Sequence, residues 1–212
     1  MLLGTLREAI FLERINRFIC RVLYRDGQHT AYLRNTGRLR ELLKEGTKVY
    51  VREKEGGKHP LELLLVDAGS SLVCVDSTIP PFLYEEYTGV KGKREPRFGN
   101  VRFDLLVDKK IIETKSVNLV RDKVALFPDA PTLRGRKHVE ELIKLGEEGY
   151  EPLIVFVVQR EDALYFSPNW DTDPDFCRAL VRYREKGFQL QAYACKVSMK
   201  EIMIEKPLDI IF

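Results

Sequence analysis

The chain has 212 residues, 44% hydrophobic and 32% charged, with a formal net charge of +3. That globular mix excludes a disordered, collagenous or low-complexity chain. No apolar run approaches the ~20 residues of a membrane helix; the longest, Leu153 to Val158, is strand-sized. Arg7 and Glu8 come too early for a secretory signal, and Cys20, Cys74, Cys177 and Cys195 show no metal or disulfide spacing. His29, His59 and His138 are equally dispersed. A cytoplasmic protein is therefore expected, its thiols acting as small core hydrophobes. Met1 to Pro80 carries 13 Lys/Arg against 10 Asp/Glu and the remainder 22 of each, so the first part holds the whole excess.

From Leu6 to Val75 the pattern is one of short alternating strands. ICRVLYRDGQHTAYL predicts two strands joined at Asp26-Gly27, a hairpin signal. After Asn35-Thr36-Gly37, RLRELLKEG predicts a short helix ended by Gly46. TKVYVRE, a Gly56-Gly57 turn, LELLLVDAG and SLVCVD supply three more strands. Five strands and a helix predict a small closed barrel of the OB type, which commonly binds oligonucleotides but does not by itself fix function. Arg14, Arg17 and Arg21 interleave with Phe11, Phe18 and Tyr24 along the first strand, as single-strand stacking would require, although Phe18 is expected in the core.

STIPPFLYEEYTG predicts a bridging helix with Pro80 and Pro81 in its first turn and Gly89 at its end. KGKREPRFGNVR follows as a loop with five basic residues, Lys91, Lys93, Arg94, Arg97 and Arg102, against Glu95 alone. VRFDLLV and IIETKSV are strands about a short turn at Asp108-Lys109. Thr132 to Glu148 is helical, PLIVFVVQ is a strand buried on both faces, and Asp173 caps a helix running from Pro174 to Gly187. FQLQAYAC is the last strand. The order β-β-α-β-α-β predicts a mixed sheet flanked by helices, an α/β domain over 79–212 behind a barrel over 1–78.

The informative segment is Val101 to Val117. With a two-residue turn, Val107 faces Lys110, Leu106 faces Ile111 and Asp104 faces Glu113. Alternation then sets Asp104, Glu113 and Lys115 on one side of the sheet. Opposed carboxylates with Cβ atoms ~5 Å apart repel each other and need a cation. Mg2+ or Mn2+ prefers such hard oxygen ligands and keeps waters that a phosphate can displace. Lys115, one pleat beyond Glu113, reaches the same space to hold a phosphate oxygen or orient an attacking water. Asp-(x8)-Glu-x-Lys is the layout expected for metal-assisted phosphodiester hydrolysis, and it resembles the signature of the PD-(D/E)xK nuclease superfamily. The plain alternative is a solvent face on which Glu113 pairs with Lys115 or Arg102.

Longer stretches carry a second resemblance. NTGRLRELL, RFGNVRFDLLV, IIETKSVNL, FPDAPTLRGRKHVEEL and QREDALYFSP, in that order over nearly the whole chain, resemble the sugar fermentation stimulation protein family. The resemblance implies an OB-like domain followed by a PD-(D/E)xK-like (restriction endonuclease-like) domain, DNA binding and, in bacteria, regulation of sugar utilisation genes. Arg34 stands where the family often has proline and Thr114 where it usually has valine. Carried over, Asp104, Glu113 and Lys115 take the catalytic positions, and Glu86 on the preceding helix joins Asp104 and Glu113 as a metal-binding carboxylate. Glu86 is preferred to Glu85 because it neighbours Leu83, Tyr87 and Val90 by helical spacing. The expectation is a DNA-binding protein with a Mg2+ or Mn2+ site able to hydrolyse phosphodiesters. A non-enzymatic, largely sequence-nonspecific DNA-binding regulator of sugar (maltose) metabolism genes is the alternative, and RNA processing a third reading. The partners expected are DNA, double- or single-stranded, and a second copy of the chain, with no membrane and no small-molecule cofactor.

Arg134, Arg136, Lys137 and His138 cluster at the start of the Thr132 helix, where cations and free N–H groups make a candidate phosphate cradle. Arg38 and Arg40 repeat the arrangement after Asn35-Thr36-Gly37, and Arg17 joins them as a candidate contact. Asp171, Asp173 and Asp175 alternate as in a calcium loop, but its glycine is missing and its twelfth position is Arg182. Gln159 and Arg160 are candidates to line the site, while Asp129 in FPDAP reads as a turn acid.

Overall fold

A computed structural model of the chain describes residues 1–54 and 59–212, and the expected Gly56-Gly57 turn lies outside them. The first half forms six strands: β1 (Leu6–Arg14), β2 (Ile19–Tyr24), β3 (Gly27–Tyr32), β4 (Lys48–Glu53), β5 (Leu61–Asp67) and β6 (Leu72–Cys74). Their order is β3-β2-β1-β4-β5-β6, and β3 also pairs in parallel with β5 through Ala31–Leu61 and Tyr32–Glu62, closing the sheet into a barrel. The expected fifth strand thus becomes a sixth, because Arg14, Arg17 and Arg21 do not share one strand. The chain turns between β1 and β2 at Asn16, whose Oδ1 accepts from the Phe18 and Ile19 N–H groups at 2.9 and 3.0 Å. Phe11 and Tyr24 are buried, whereas Phe18 is exposed and stacks on Tyr32. The β2–β3 turn falls one residue earlier than expected, at Arg25-Asp26, with Arg25 at φ 52°.

The helix expected over 38–46 does not form. Leu39 takes φ 50° and its N–H donates to Asp129 Oδ2 at 3.2 Å, while Leu39 and Leu42 plug the barrel. The leucine spacing marked the buried side chains; burial against the barrel and the bond to Asp129 replaced helical backbone bonding.

The second half opens with α1 (Pro80–Thr88), stopped by Gly89 at φ 72°. The supposed loop after it contains β7 (Lys93–Arg94) and a small hairpin of β8 (Arg97–Phe98) and β9 (Val101–Arg102). VRFDLLV is therefore split, with Phe103-Asp104 lying between β9 and β10 (Leu105–Val107). There follow β11 (Lys110–Val117), β12 (Leu119–Arg121), β13 (Val124–Phe127), α2 (Leu133–Glu147), β14 (Glu151–Val158), β15 (Tyr165–Pro168), α3 (Pro174–Glu185), β16 (Gln189–Val197), β17 (Ile202–Pro207) and β18 (Asp209–Ile210). The central sheet runs β17-β16-β14-β11-β10-β7, parallel across β11, β14 and β16 and antiparallel at its margins. A second sheet, β12-β13-β15-β18, was not foreseen from the sequence.

Helix ends are built locally. Thr132 accepts from the Gly135 N–H at the start of α2, and Asp173 from the Phe176 N–H before Pro174 in α3. Both helices cover one face of the central sheet, where Val139, Leu142, Phe176 and Leu180 pack on Ile111, Ile154 and Phe156. The short α1 covers the other face, with Leu83 and Tyr84 against Ile112, Leu153 and Val155. β14 is accordingly buried on both faces. The face of β11 that carries its odd-numbered residues is thus the α2 face.

Candidate functional site

The β10–β11 hairpin pairs Leu105 with Ile112, Leu106 with Ile111 and Val107 with Lys110, around Asp108 at φ 52°. Just beyond the end of that ladder, Asp104 lies close enough to Glu113 to feel its charge, and Asp104 Oδ2 accepts from the Thr114 N–H at 2.7 Å and the Thr114 hydroxyl at 2.6 Å. Glu113 is only 4% exposed. Its Oε1 takes Lys115 Nζ at 2.5 Å and His138 Nδ1 at 2.7 Å, whereas its Oε2 is buried with no partner among the described residues. Arg134 Nε donates to His138 Nε2 at 3.3 Å, which makes Nδ1 the protonated nitrogen that donates to Glu113.

The two acids differ in electrostatics. Burial first, and the Glu113 charge second, push the Asp104 carboxyl up to about 6. Burial also opposes ionisation of Glu113, but Lys115 and then His138 outweigh it and hold that carboxyl below its ordinary value. Glu113 is the settled anion; Asp104 is the acid short of positive charge. Thr114 softens the deficit with its hydroxyl.

The structure thus brings Asp104, Glu113 and Lys115 together, and adds His138. The helix that holds His138 repeats apolar residues at Val139, Leu142 and Leu145, and His138 falls on that inward stripe. That spacing was the signal for its turning to the acids rather than outward to a phosphate. Glu86 does not join the set. α1 packs on the opposite face of the sheet, and Glu86 is 56% exposed, 3.0 Å from the Met1 ammonium. Glu85 is the more buried of the two but is held by Arg94.

Among the expected phosphate contacts, Arg134 and Lys137 are exposed at the start of α2 beside the site. Arg136 points to α3, where it pairs with Asp175 at 2.8 Å. Arg17, Arg38 and Arg40 are exposed on the barrel and border one hollow with Arg134. Arg14 is committed elsewhere: its guanidinium donates to the carbonyls of Arg17, Asn35, Gly37 and Arg38, pinning the Asn35-Thr36-Gly37 strap. The strap and Asp129 border the acid cavity, where a Cβ on Gly37 would stand 2.5 Å from Asp129 Oδ2.

Gln159 and Arg160 serve the domain junction instead. Gln159 Nε2 donates to the Asp76 carbonyl at 2.9 Å, and Arg160 to the Asn118 carbonyl at 3.0 Å and to Asp162. Asn35 and Asn118 bond to each other at 3.1 Å and to the Val75 and Cys74 carbonyls, joining barrel to sheet. The three aspartates after Trp170 are dispersed among a helix cap and ion pairs with Arg121, Arg136 and Arg178.

Comparison with known proteins bears on this arrangement. The family model described as "SfsA N-terminal OB domain" matches residues 12–75, and "Sugar fermentation stimulation protein RE domain" matches residues 74–201. A sugar fermentation stimulation protein homolog of Aquifex aeolicus is 49% identical over 209 residues, covering 96% of this chain and 97% of its own. The homolog of Natranaerobius thermophilus is 40% identical over 216 residues, covering 92% and 90%. The solved structure of Pyrococcus furiosus SfsA in complex with Ca2+ superposes with a TM-score of 0.91 at 31% identity, over 100% of this chain and 98% of that one.

Proposed function

The chain belongs to the sugar fermentation stimulation protein family, and on that premise we propose that it binds DNA and hydrolyses phosphodiesters at Asp104 and Glu113 with a divalent cation. The observation that carries the reading is Glu113 Oε2, an anionic oxygen buried without a partner among the described residues, beside a second carboxylate whose ionisation burial opposes. Two carboxylates so placed fit one hard cation. No cluster of three or more ligating side chains occurs among the described residues, so the remaining ligand positions fall to water and substrate phosphate. The Ca2+ held by the relative from Pyrococcus furiosus supports a divalent ion, and Mg2+ or Mn2+ is the ion proposed for this chain. Glu86 is left out of the set.

When bound, such an ion lowers the pKa of a coordinated water and neutralises charge on the phosphate. The chain's own groups do the rest. Lys115, now 2.5 Å from Glu113, has its ammonium free to hold a phosphate oxygen once a cation satisfies that carboxylate. His138 keeps Glu113 oriented through Nδ1–H, and Arg134 fixes the tautomer of His138. Arg134 and Lys137 stand ready for flanking phosphates. A cytoplasmic setting is supported by four buried free thiols, and no helix among the described residues is long and apolar enough to cross a membrane.

The test is incubation of plasmid and single-stranded DNA with Mn2+, beside Glu113→Ala and Lys115→Ala. Cleavage by the parent that both variants lose is the expected result. Binding that persists with no cleavage under Mg2+ or Mn2+ would overturn hydrolysis and leave a DNA-binding regulator.

A further inference from the structure

Glu113 does not lie at a dead end. The cavity that it borders with Lys115, about 310 Å3, is flanked by two larger hollows and shares side chains with both. One, about 650 Å3, lies between the β8–β9 hairpin and the start of α2, and shares Arg134 and His138 with the acid cavity. The other, about 810 Å3, lies between α2 and the barrel, and shares Gly37, Thr132 and Arg134 with it. Arg134 borders all three. They are one groove that continues on both sides of Glu113.

The charge on its two arms is positive. Arg97 and Lys137 on one arm, and Arg17, Arg38 and Arg40 on the other, are exposed and have no ion-pair partner among the described residues. Among the described residues, no carboxylate borders either arm. In a chain of net charge +3, a solvated surface would mix signs, as Arg94 and Arg136 do with their acids; on the first arm Arg102 is itself paired, with Glu95. Between the arms stands Leu133, 67% exposed and bordering both hollows. An apolar side chain among phosphate-binding cations is matched by a base and not by a phosphate. In a duplex the faces of the bases are stacked away from such a contact; in a single strand they are free.

We propose that the groove takes a single strand of DNA that runs through it from the β8–β9 hairpin to the barrel, so that an internal phosphodiester rests at Glu113. This rests on the hydrolytic reading above and names its substrate. Because the strand leaves at both sides, the cut is endonucleolytic. Water supplies the hydroxyl that bonds to phosphorus and the proton taken by the leaving oxygen as the P–O bond breaks.

Anisotropy of a labelled 20-mer strand and of its duplex, with Ca2+ present, tests the path without relying on turnover. The strand is expected to bind at least tenfold more tightly than the duplex. Arg38→Ala/Arg40→Ala and Arg97→Ala/Lys137→Ala should each weaken it and flatten the salt dependence by about 1.4 in log–log slope, at ~0.7 for each phosphate no longer neutralised. Leu133→Ser should weaken strand binding several-fold with the slope unchanged, and Lys200→Ala, an exposed cation off the groove, should change nothing. Closed circular single-stranded DNA should be cut with Mn2+, at least tenfold faster than a closed duplex circle. Equal affinity or equal cutting of the duplex, loss of binding on one arm only, or degradation confined to linear ends would overturn the proposal. Strand binding of the expected kind with no cutting under Mg2+ or Mn2+ would instead overturn the hydrolytic reading and leave the strand path standing.

Discussion

Replacing Asp104 with asparagine tests the electrostatic argument directly, because it should make the protein more stable. In the fold, burial and the Glu113 charge raise this carboxyl from an ordinary 3.8 to about 6. At 1.36 kcal/mol per pH unit, holding it ionised at pH 7.5 costs the metal-free fold about 3 kcal/mol. Asparagine keeps an oxygen for the Thr114 N–H and hydroxyl, whose bonds to the carboxylate are already counted in that value. The net gain is therefore about 3 kcal/mol. For a chain of this length that raises Tm by about 6–12 °C. The sign follows from proton binding: between the unfolded and folded values the native state holds the extra proton, so wild-type stability falls as pH rises from about 4 to about 6 and is level above. The advantage of Asp104→Asn should therefore vanish at pH 3.5, grow through that window and stay constant to pH 8. Calorimetric scans in a chelator over this range measure it. Saturating Ca2+ should stabilise the wild type, by ~2.7 kcal/mol at a hundred times Kd, and not the variant. An asparagine variant less stable than wild type at pH 7.5 without metal would refute the reasoning, since the acid pair would then be satisfied without a cation.

Glu113→Gln should have the opposite sign, costing about 3 kcal/mol in urea denaturation at pH 7, because it strands Lys115 and His138 beside a neutral amide. Glu113 is held below its ordinary value, so this cost should shrink as pH falls below about 4. Gly37→Ala should cost about 1–3 kcal/mol, as its Cβ meets the Asp129 carboxylate, and Asp129→Ala in the same chain should recover part of that in a double-mutant cycle. Asn118→Ala, which leaves the Asn35 amide and the Cys74 carbonyl short of a partner, should cost about 2–3 kcal/mol and speed hydrogen exchange at the domain junction.

The acid pair was legible because a two-residue turn fixes register, and register with alternation fixes the face of every residue on β11. No comparable rule placed Glu86. Helical spacing says which side of α1 is apolar, but not which face of a sheet buried on both sides the helix will choose. The helix expected at residues 38–46 failed for a related reason: local spacing marked Leu39 and Leu42 as buried, while the decisive partners, the barrel interior and Asp129 some ninety residues on, are remote in sequence. β12, β15 and β18, of 3, 4 and 2 residues, are too short for periodicity to register and exist through pairing alone. Arg136 shows a limit of clustering, since four side chains within five helical positions face different directions and only a structure tells which of them meets Asp175.

How the halves are joined decides what the barrel can contribute. A tethered module would leave the distance between Arg38 and Glu113 free to vary; here it is fixed by buried polar bonds that lie beside the site. Asn118 follows directly on β11, the strand that carries Glu113, and reaches across to Asn35, which opens the strap that carries Gly37. The Cys74 N–H donates to the Gln159 carbonyl, and Ser116 bonds to the Gln159 side chain, so β6 and the end of β11 grip the same residue. Asp129 closes the circuit from the other side by accepting from Leu39. Groups bonded in this way resist separation, because parting them would expose several buried donors and acceptors at about 1–3 kcal/mol each. The cations on the barrel are consequently held at a set distance from the acids, in one rigid frame. On the proposed function, binding on the barrel would then position a phosphodiester instead of merely retaining the nucleic acid nearby. On this argument, loosening the junction with Asn118→Ala should lower cleavage by more than it lowers DNA affinity, whereas Arg38→Ala should lower the two together.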